Sequence, residues 1–155
     1  IDKDLSMKDY LNEIISSFKE ISQKKFIFNY DQFSNVKKIT KSIEIVYGLR
    51  NFIGNANKFS KEVIYINLKS DSEITEITVE DDGNGYPKDV LSTIGEPYLK
   101  TKDPIEKTKT GLGLGLFIGK TLLEKNFASI NCTNSKTRSG AEVVIKWNNK
   151  DLFNI

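Results

Sequence analysis

The chain has 155 residues, 38% hydrophobic and 28% charged, which suits one globular domain and leaves no apolar run near the roughly 20 residues that a membrane span needs. Its 23 basic and 21 acidic side chains are scattered, for a formal charge of +2, so no basic stripe marks a nucleic-acid surface. With no histidine and a single cysteine, Cys132, the chain excludes a histidine base, a Ser-His-Asp triad, a histidine-ligated metal and an internal disulfide, and it fits a reducing, cytoplasmic setting.

Ser6-Met7-Lys8-Asp9 has the form of a capping box. Met7, Tyr10, Leu11, Ile14, Ile15, Phe18 and Ile21 then recur at three and four, which predicts an amphipathic helix over about residues 5–22. Phe26 to Tyr30 reads as a short aromatic strand and residues 36–39 as another short extended piece. A second helix is expected over 42–59. Two alternating segments, 62–69 and 73–81, flank the polar Ser70-Asp71-Ser72 turn and predict an antiparallel hairpin.

From 83 to 115 the chain is rich in Gly, Pro, Lys and Thr and reads as a long functional loop, with one short helix over 88–93. A helix over 114–125, a strand over 128–133 and a last strand over 141–147 complete the chain. This order predicts an α+β fold, a two-layer α/β sandwich whose mostly antiparallel sheet is covered by helices on one face. Because the chain starts at Ile1 without a signal-peptide pattern, we expect an excerpt of a longer protein.

Three polar clusters carry chemistry. Asn51, Asn55 and Lys58 share one face of the second helix, while Ile45, Leu49, Phe52, Ile53 and Ala56 supply its packing. A carboxamide oxygen suits Mg²⁺ and a lysine offsets phosphate charge; the same pattern also fits an ordinary solvated face. In the second segment of the hairpin, Ile77, Val79 and Asp81 fall on one face, so Asp81 continues an apolar row. A carboxylate there needs a donor, which an adenine amine supplies and a phosphate does not; Gly83 and Gly85 let the chain turn sharply under a flat ring. Asp82-Gly83-Asn84-Gly85 equally reads as a plain turn.

Lys109-Thr110-Gly111-Leu112-Gly113-Leu114-Gly115-Leu116 sets glycines on alternate positions immediately before a helix, where bare amides and the helix dipole bind phosphate. A dinucleotide fingerprint fails at Leu116, and a Walker loop ending in Gly119-Lys120-Thr121 fails at Leu114. That tripeptide falls inside the expected helix and reads as helix surface. Cys132, in an expected strand, reads as packing.

Taken in order, these pieces resemble the boxes of the ATPase superfamily shared by histidine kinases, type II topoisomerases, MutL and a heat-shock chaperone. Residues 50–59 resemble the N box, 81–85 the first glycine box and 111–115 the second. Gly95-Glu96-Pro97-Tyr98-Leu99-Lys100-Thr101-Lys102 resembles the F box of histidine kinases, and Ser139-Gly140-Ala141-Glu142 stands where a third glycine box is expected. The Gly-Glu-Pro-Tyr segment and residues 115–124 look most like the RegB/PrrB group of sensor kinases. Two departures stand out: Tyr98 replaces a frequent phenylalanine, and Phe59 a frequent tyrosine near adenine.

The resemblance implies a Bergerat-type ATP-binding fold with a flexible lid over about 96–111, and ATP and Mg²⁺ as ligands. Asn55 would be the metal ligand, Lys58 a phosphate contact and Asp81 the acceptor of the adenine amine. Gly111, Gly113 and Gly115, with Leu112, Leu114 and Leu116 between and after them, would line the phosphates. Phe59, Gly83, Gly85, Tyr98, Thr101 and Lys102 would complete the nucleotide site. Lys100, Lys102, Lys107 and Lys109 form either a phosphate clamp or a solvated loop.

Asn51 decides the chemistry, since hydrolytic relatives resemble one another in having glutamate there, a base for water, whereas imidazole is already nucleophilic at pH 7. The implied activity is therefore protein-histidine kinase, with Asn51, Asn55 and Lys58 as the catalytic set. The phosphoacceptor histidine would sit on an upstream helical dimerisation domain and a response regulator would receive the phosphate; no nucleic acid is implied. The isolated domain would be monomeric, and the parent a homodimer with a cytoplasmic catalytic domain, compatible with anchoring in the inner membrane. An ATP hydrolase, a serine kinase of the anti-sigma-factor type and a degenerate binding module are the competing readings.

Overall fold

A computed structural model describes residues 5–31, 37–39, 42–93 and 112–153, the side chains of 92–93 and 112–114 excepted. Ser6 caps α1 (Met7–Lys19): its Oγ accepts from Asp9 N–H, and the Asp9 carboxylate returns a bond to the Ser6 backbone, so the capping box closes. Met7, Tyr10, Leu11, Ile14 and Ile15 are buried by this helix. The helix stops short of the expected end: Ile21 and Ser22 both donate their N–H to Phe18 C=O, the chain turns toward β1 (Lys25–Tyr30), and Ile21 is left 80% exposed.

Ser42 caps α2 (Ile43–Phe59), which buries Ile45, Leu49, Phe52, Ile53 and Ala56. Each large apolar side chain buried this way contributes roughly 1.5–3 kcal/mol. β2 (Val63–Ser70) and β3 (Ile74–Asp81) form the expected antiparallel hairpin, with Ile66 opposite Val79 and Ile64 opposite Asp81. Then come α3 (Lys88–Thr93), α4 (Leu112–Lys125), β4 (Ser129–Asn134), β5 (Ala141–Asn148) and a one-turn α5 (Asn149–Leu152) that the periodicity does not reveal. Of the extended piece expected over 36–39, the structure describes the bridge from Ile39 to Leu5.

The sheet runs β1-β2-β3-β5-β4, with β1 parallel to β2 and every other pair antiparallel. One face is apolar: Ile64, Ile66, Leu68, Ile77, Val79, Val143, Ile145 and Trp147 are buried in one core with the side chains of α1, α2 and α4. The other carries half-buried Tyr65, Asn67, Thr78 and Glu80, as the two-residue period of strands requires. The result is the α+β sandwich that the element order predicts.

Two glycines let α2 and α4 touch. A Cβ on Gly48 would stand 2.6 Å from Leu123 Cγ, and one on Gly119 would stand 2.8 Å from the Phe52 ring. Gly119 is thus an interhelical contact; Lys120 pairs with Glu124 on the helix flank at 3.9 Å and Thr121 is exposed, so the Walker-like tripeptide is far from any helix mouth. Among the described residues, no helix is long and apolar enough to cross a membrane.

Candidate nucleotide site

Alternation along β3 carries Thr75, Ile77, Val79 and Asp81 onto the buried face, so the apolar row ends in a carboxylate only 4% exposed. Asp81 Oδ1 accepts from Gly83 N–H at 2.8 Å and from Ala141 N–H at 3.3 Å; Oδ2 has no donor among the described residues. Burial raises the Asp81 carboxyl above the usual carboxylate range, and the amides of Gly83 and Ala141 offset only part of that rise.

Asp81 lies in a cavity of about 250 Å³. α2 supplies Phe52, Asn55, Ala56 and Phe59; β3 supplies Val79 beside Asp81; β5 supplies Ala141 and Val143; and Asn84, Gly85, Tyr86 and Pro87 form the remaining wall. An apolar slot with one acid in it suits a flat heterocycle that brings an amine.

Glycines make this enclosure possible by close approach. A Cβ on Gly83 would collide with the Phe59 carbonyl oxygen, and one on Gly140 with the Asp81 carboxylate. Gly85 adopts φ +78°, open to glycine at no steric cost. Ser139, at φ +66°, swings the β4–β5 hairpin over the site and donates its hydroxyl to Gly83 C=O at 3.3 Å.

Asn55 stands beside the start of α4: a Cβ on Gly115 would come within 3.1 Å of Asn55 Oδ1. Its Nδ2 is enclosed and without a hydrogen-bond partner among the described residues, a costly state for a donor that no ligand satisfies. Asn51, one turn earlier, does not line the cavity; its Nδ2 donates to Tyr47 C=O at 2.7 Å. Lys58 is exposed, with its ammonium 5.3 Å from the Phe59 ring centroid.

The glycine-rich segment differs from its expected form. α4 begins at Leu112, two residues earlier than the pattern suggests, so Gly113, Leu114 and Gly115 lie inside the first turns of the helix and not before it. Glycine's low helix propensity is outweighed here by the packing of α4 against α2. Leu116 is 1% exposed and belongs to the core. Tyr98, Thr101, Lys102 and Gly111, with the rest of the expected lid and its lysines, lie outside the described residues.

Some contacts around the site escape sequence reasoning. Asp82, which the sequence places in a turn and in the first glycine box without a role of its own, holds the amides of Lys61, Glu62 and Val63 at 2.8–3.2 Å and so locks the turn after α2. Burial alone would raise its pKa, but the amides of Glu62, Val63 and Lys61 outweigh it and keep the carboxyl below its usual range. Tyr86 is buried, and burial raises its phenol well above the ordinary value, with Cys132 beside it. Burial likewise pushes the Cys132 thiol up to about 11, which keeps it protonated and in a packing role.

The architecture and this slot define a nucleotide-binding α+β domain. A sequence profile described as "Histidine kinase-, DNA gyrase B-, and HSP90-like ATPase" matches residues 40–151, and the chain belongs to that family. Among curated proteins it is similar to the sensor histidine kinase RegB of Cereibacter sphaeroides, 33% identical over 124 residues, covering 70% of this chain and 27% of RegB. A putative sensor histidine kinase NtrY-like of Rickettsia bellii is 25% identical over 146 residues, 92% of this chain and 23% of that protein. The chain thus spans about a quarter of the length of these relatives.

Among solved structures, the catalytic domain of the histidine kinase ThkA superposes with TM-score 0.74 at 19% identity, covering 96% of this chain and 97% of that one. The mycobacterial sensor histidine kinase MprB gives 0.71 at 17% identity, with 96% and 97% covered. At these identities the likeness establishes the fold.

Proposed function

We propose that this chain binds Mg-ATP and transfers the γ-phosphate to a histidine on a separate helical dimerisation domain, as the catalytic domain of a two-component sensor kinase. The observation that carries the reading is Asp81: a carboxylate withdrawn from water at the floor of an apolar slot, with Oδ2 lacking a donor among the described residues. The exocyclic amine of adenine supplies that donor, whereas the carbonyl at the same place on guanine would be repelled.

Asn55 fits a magnesium role. It offers a neutral carboxamide oxygen beside the glycines of α4, and its Nδ2 has no hydrogen-bond partner among the described residues. Bound Mg²⁺ supplies charge neutralisation on the phosphates. Among the described residues no group of three or more acidic or cysteine side chains is built to hold a metal by itself, so the ion's remaining ligands would come from the nucleotide and water. Lys58 and the backbone of Gly113 and Gly115 are the further candidates for phosphate contact.

Asn51 has no basic lone pair and cannot take a proton from water, so hydrolysis finds no base at this position. A neutral imidazole with pKa about 6.5 needs none, and phosphoryl transfer asks the protein mainly for positioning. The histidine-free chain must meet its acceptor on another domain, and we infer that 1–155 acts as one catalytic unit on the cytoplasmic side, with a response regulator downstream. The names of its relatives support this reading.

The test has two stages. Calorimetry with magnesium and a nonhydrolysable ATP analogue should give one site per chain. Mixing with a histidine-bearing helical dimer and γ-labelled ATP should then give acid-labile, alkali-stable label on the dimer. Sustained phosphate release without an acceptor, or label on serine, would favour the competing readings.

A further inference from the structure

Tyr86 is held by both of its backbone groups, and one side chain does it. Asn134 Oδ1 accepts Tyr86 N–H at 2.6 Å, while Asn134 Nδ2 donates to Tyr86 C=O at 3.0 Å. Asn134 is the last residue of β4, the edge strand, so its carboxamide does for Tyr86 what a neighbouring strand would do. Neither group of Tyr86 has a backbone partner among the described residues. Gly85 admits the contact: a Cβ there would stand 2.7 Å from Asn134 Oδ1. The glycine box and a residue outside every box are therefore fitted to each other.

Gly85, Tyr86 and Pro87 form one wall of the Asp81 cavity. We propose that Asn134 is a positioning residue for adenine binding, fixing this wall in its receiving shape before the nucleotide arrives. The proposal rests on the nucleotide-binding reading above. Without the clamp, the segment must be ordered at the moment of binding, and that entropy cost appears as lost affinity. Two hydrogen bonds of ordinary net worth correspond to roughly a tenfold loss.

The experiment compares adenosine, ADP and a magnesium–ATP analogue on the wild type, Asn134→Ala and Asn134→Asp. Asn134→Asp keeps the acceptor but sets a carboxylate against the Tyr86 carbonyl. Both variants should weaken all three ligands by the same factor, about tenfold, because the wall meets the base and not the phosphates. Amide exchange at Tyr86 should accelerate in Asn134→Ala, which removes the acceptor of its N–H. Affinities within twofold of wild type, or a loss confined to the triphosphate, would overturn the proposal, since a role in general stability alone moves the melting temperature and not the affinity of folded protein. If wild type itself binds no adenine ligand, the nucleotide reading falls and this inference with it; if wild type binds, the variants judge Asn134 alone.

Discussion

Gly140 lies so close over Asp81 that a Cβ on it would collide with both the carbonyl oxygen and the carboxylate Oδ1 of Asp81. The next amide, Ala141 N–H, donates to that same Oδ1. The β4–β5 hairpin is thus the lid of the carboxylate's own hydrogen-bonding pocket, and the third glycine box is a steric requirement of the first.

Gly140→Ala should therefore act at two levels. Displacing β5 from Asp81 costs about 1–3 kcal/mol as an overpacked site, lowering the melting temperature by several degrees, and it loosens the Ala141 bond. Calorimetric unfolding and nucleotide titration of the same sample should both report the change; an unaltered melting point would contradict the packing.

Asp81→Asn separates binding from stability. An amide nitrogen facing the adenine amine opposes donor to donor, and loss of a charge-assisted bond should weaken ATP binding by at least about tenfold. The unliganded domain should be no less stable at pH 7, because the variant removes a buried charge. The folded carboxyl holds its proton to higher pH than the unfolded one, so its contribution to stability is complete below the unfolded pKa and lost as pH rises through the folded value. The variant's advantage in chemical denaturation should accordingly vanish on acidification.

The same carboxyl sets a pH profile for binding. Affinity for adenine nucleotides should be level at neutral pH and fall as pH drops through the raised Asp81 pKa, since the protonated acid is a poorer acceptor. Titrations at a series of pH values should find this fall in wild type and not in the residual binding of Asp81→Asn.

Asp82→Asn should show the opposite linkage. The Asp82 carboxylate receives the amides of Lys61, Glu62 and Val63, and weakening that set should cost about 1–2 kcal/mol in urea unfolding at neutral pH. With its pKa held low in the folded state, this stability is present above the unfolded carboxyl pKa and lost as pH falls through the folded one. The gap between variant and wild type should close in acid.

Asn55→Ala should divide the nucleotide. It removes the candidate metal ligand beside Gly115 but leaves Asp81 intact, so affinity for the magnesium–ATP analogue should fall about tenfold while adenosine binding changes little. Equal losses for both ligands would place Asn55 at the base instead.

Much of this was legible in the chain because it is local. The Ser6 capping box, the three-and-four spacing of α2 and the two-residue alternation that puts Asp81 in line with Ile77 and Val79 follow from backbone periodicity, which neighbouring residues set among themselves. The end of α1 and the start of α4 depart from the spacing because docking decides them: Ile21 keeps the helical spacing but has no surface to cover, whereas Gly113 and Gly115 join a helix held by its contact with Phe52 and Asn55.

Residue spacing and type are enough for the longer helices and strands, the candidate acid and amides, and the lack of any histidine to receive phosphate. Tertiary structure alone decided that Gly140 seats on Asp81, that Asp82 holds amides some twenty residues back, and that Asn134 grips Tyr86. Those pairings join residues far apart in the chain through shape and single hydrogen bonds, and no spacing rule records such encounters.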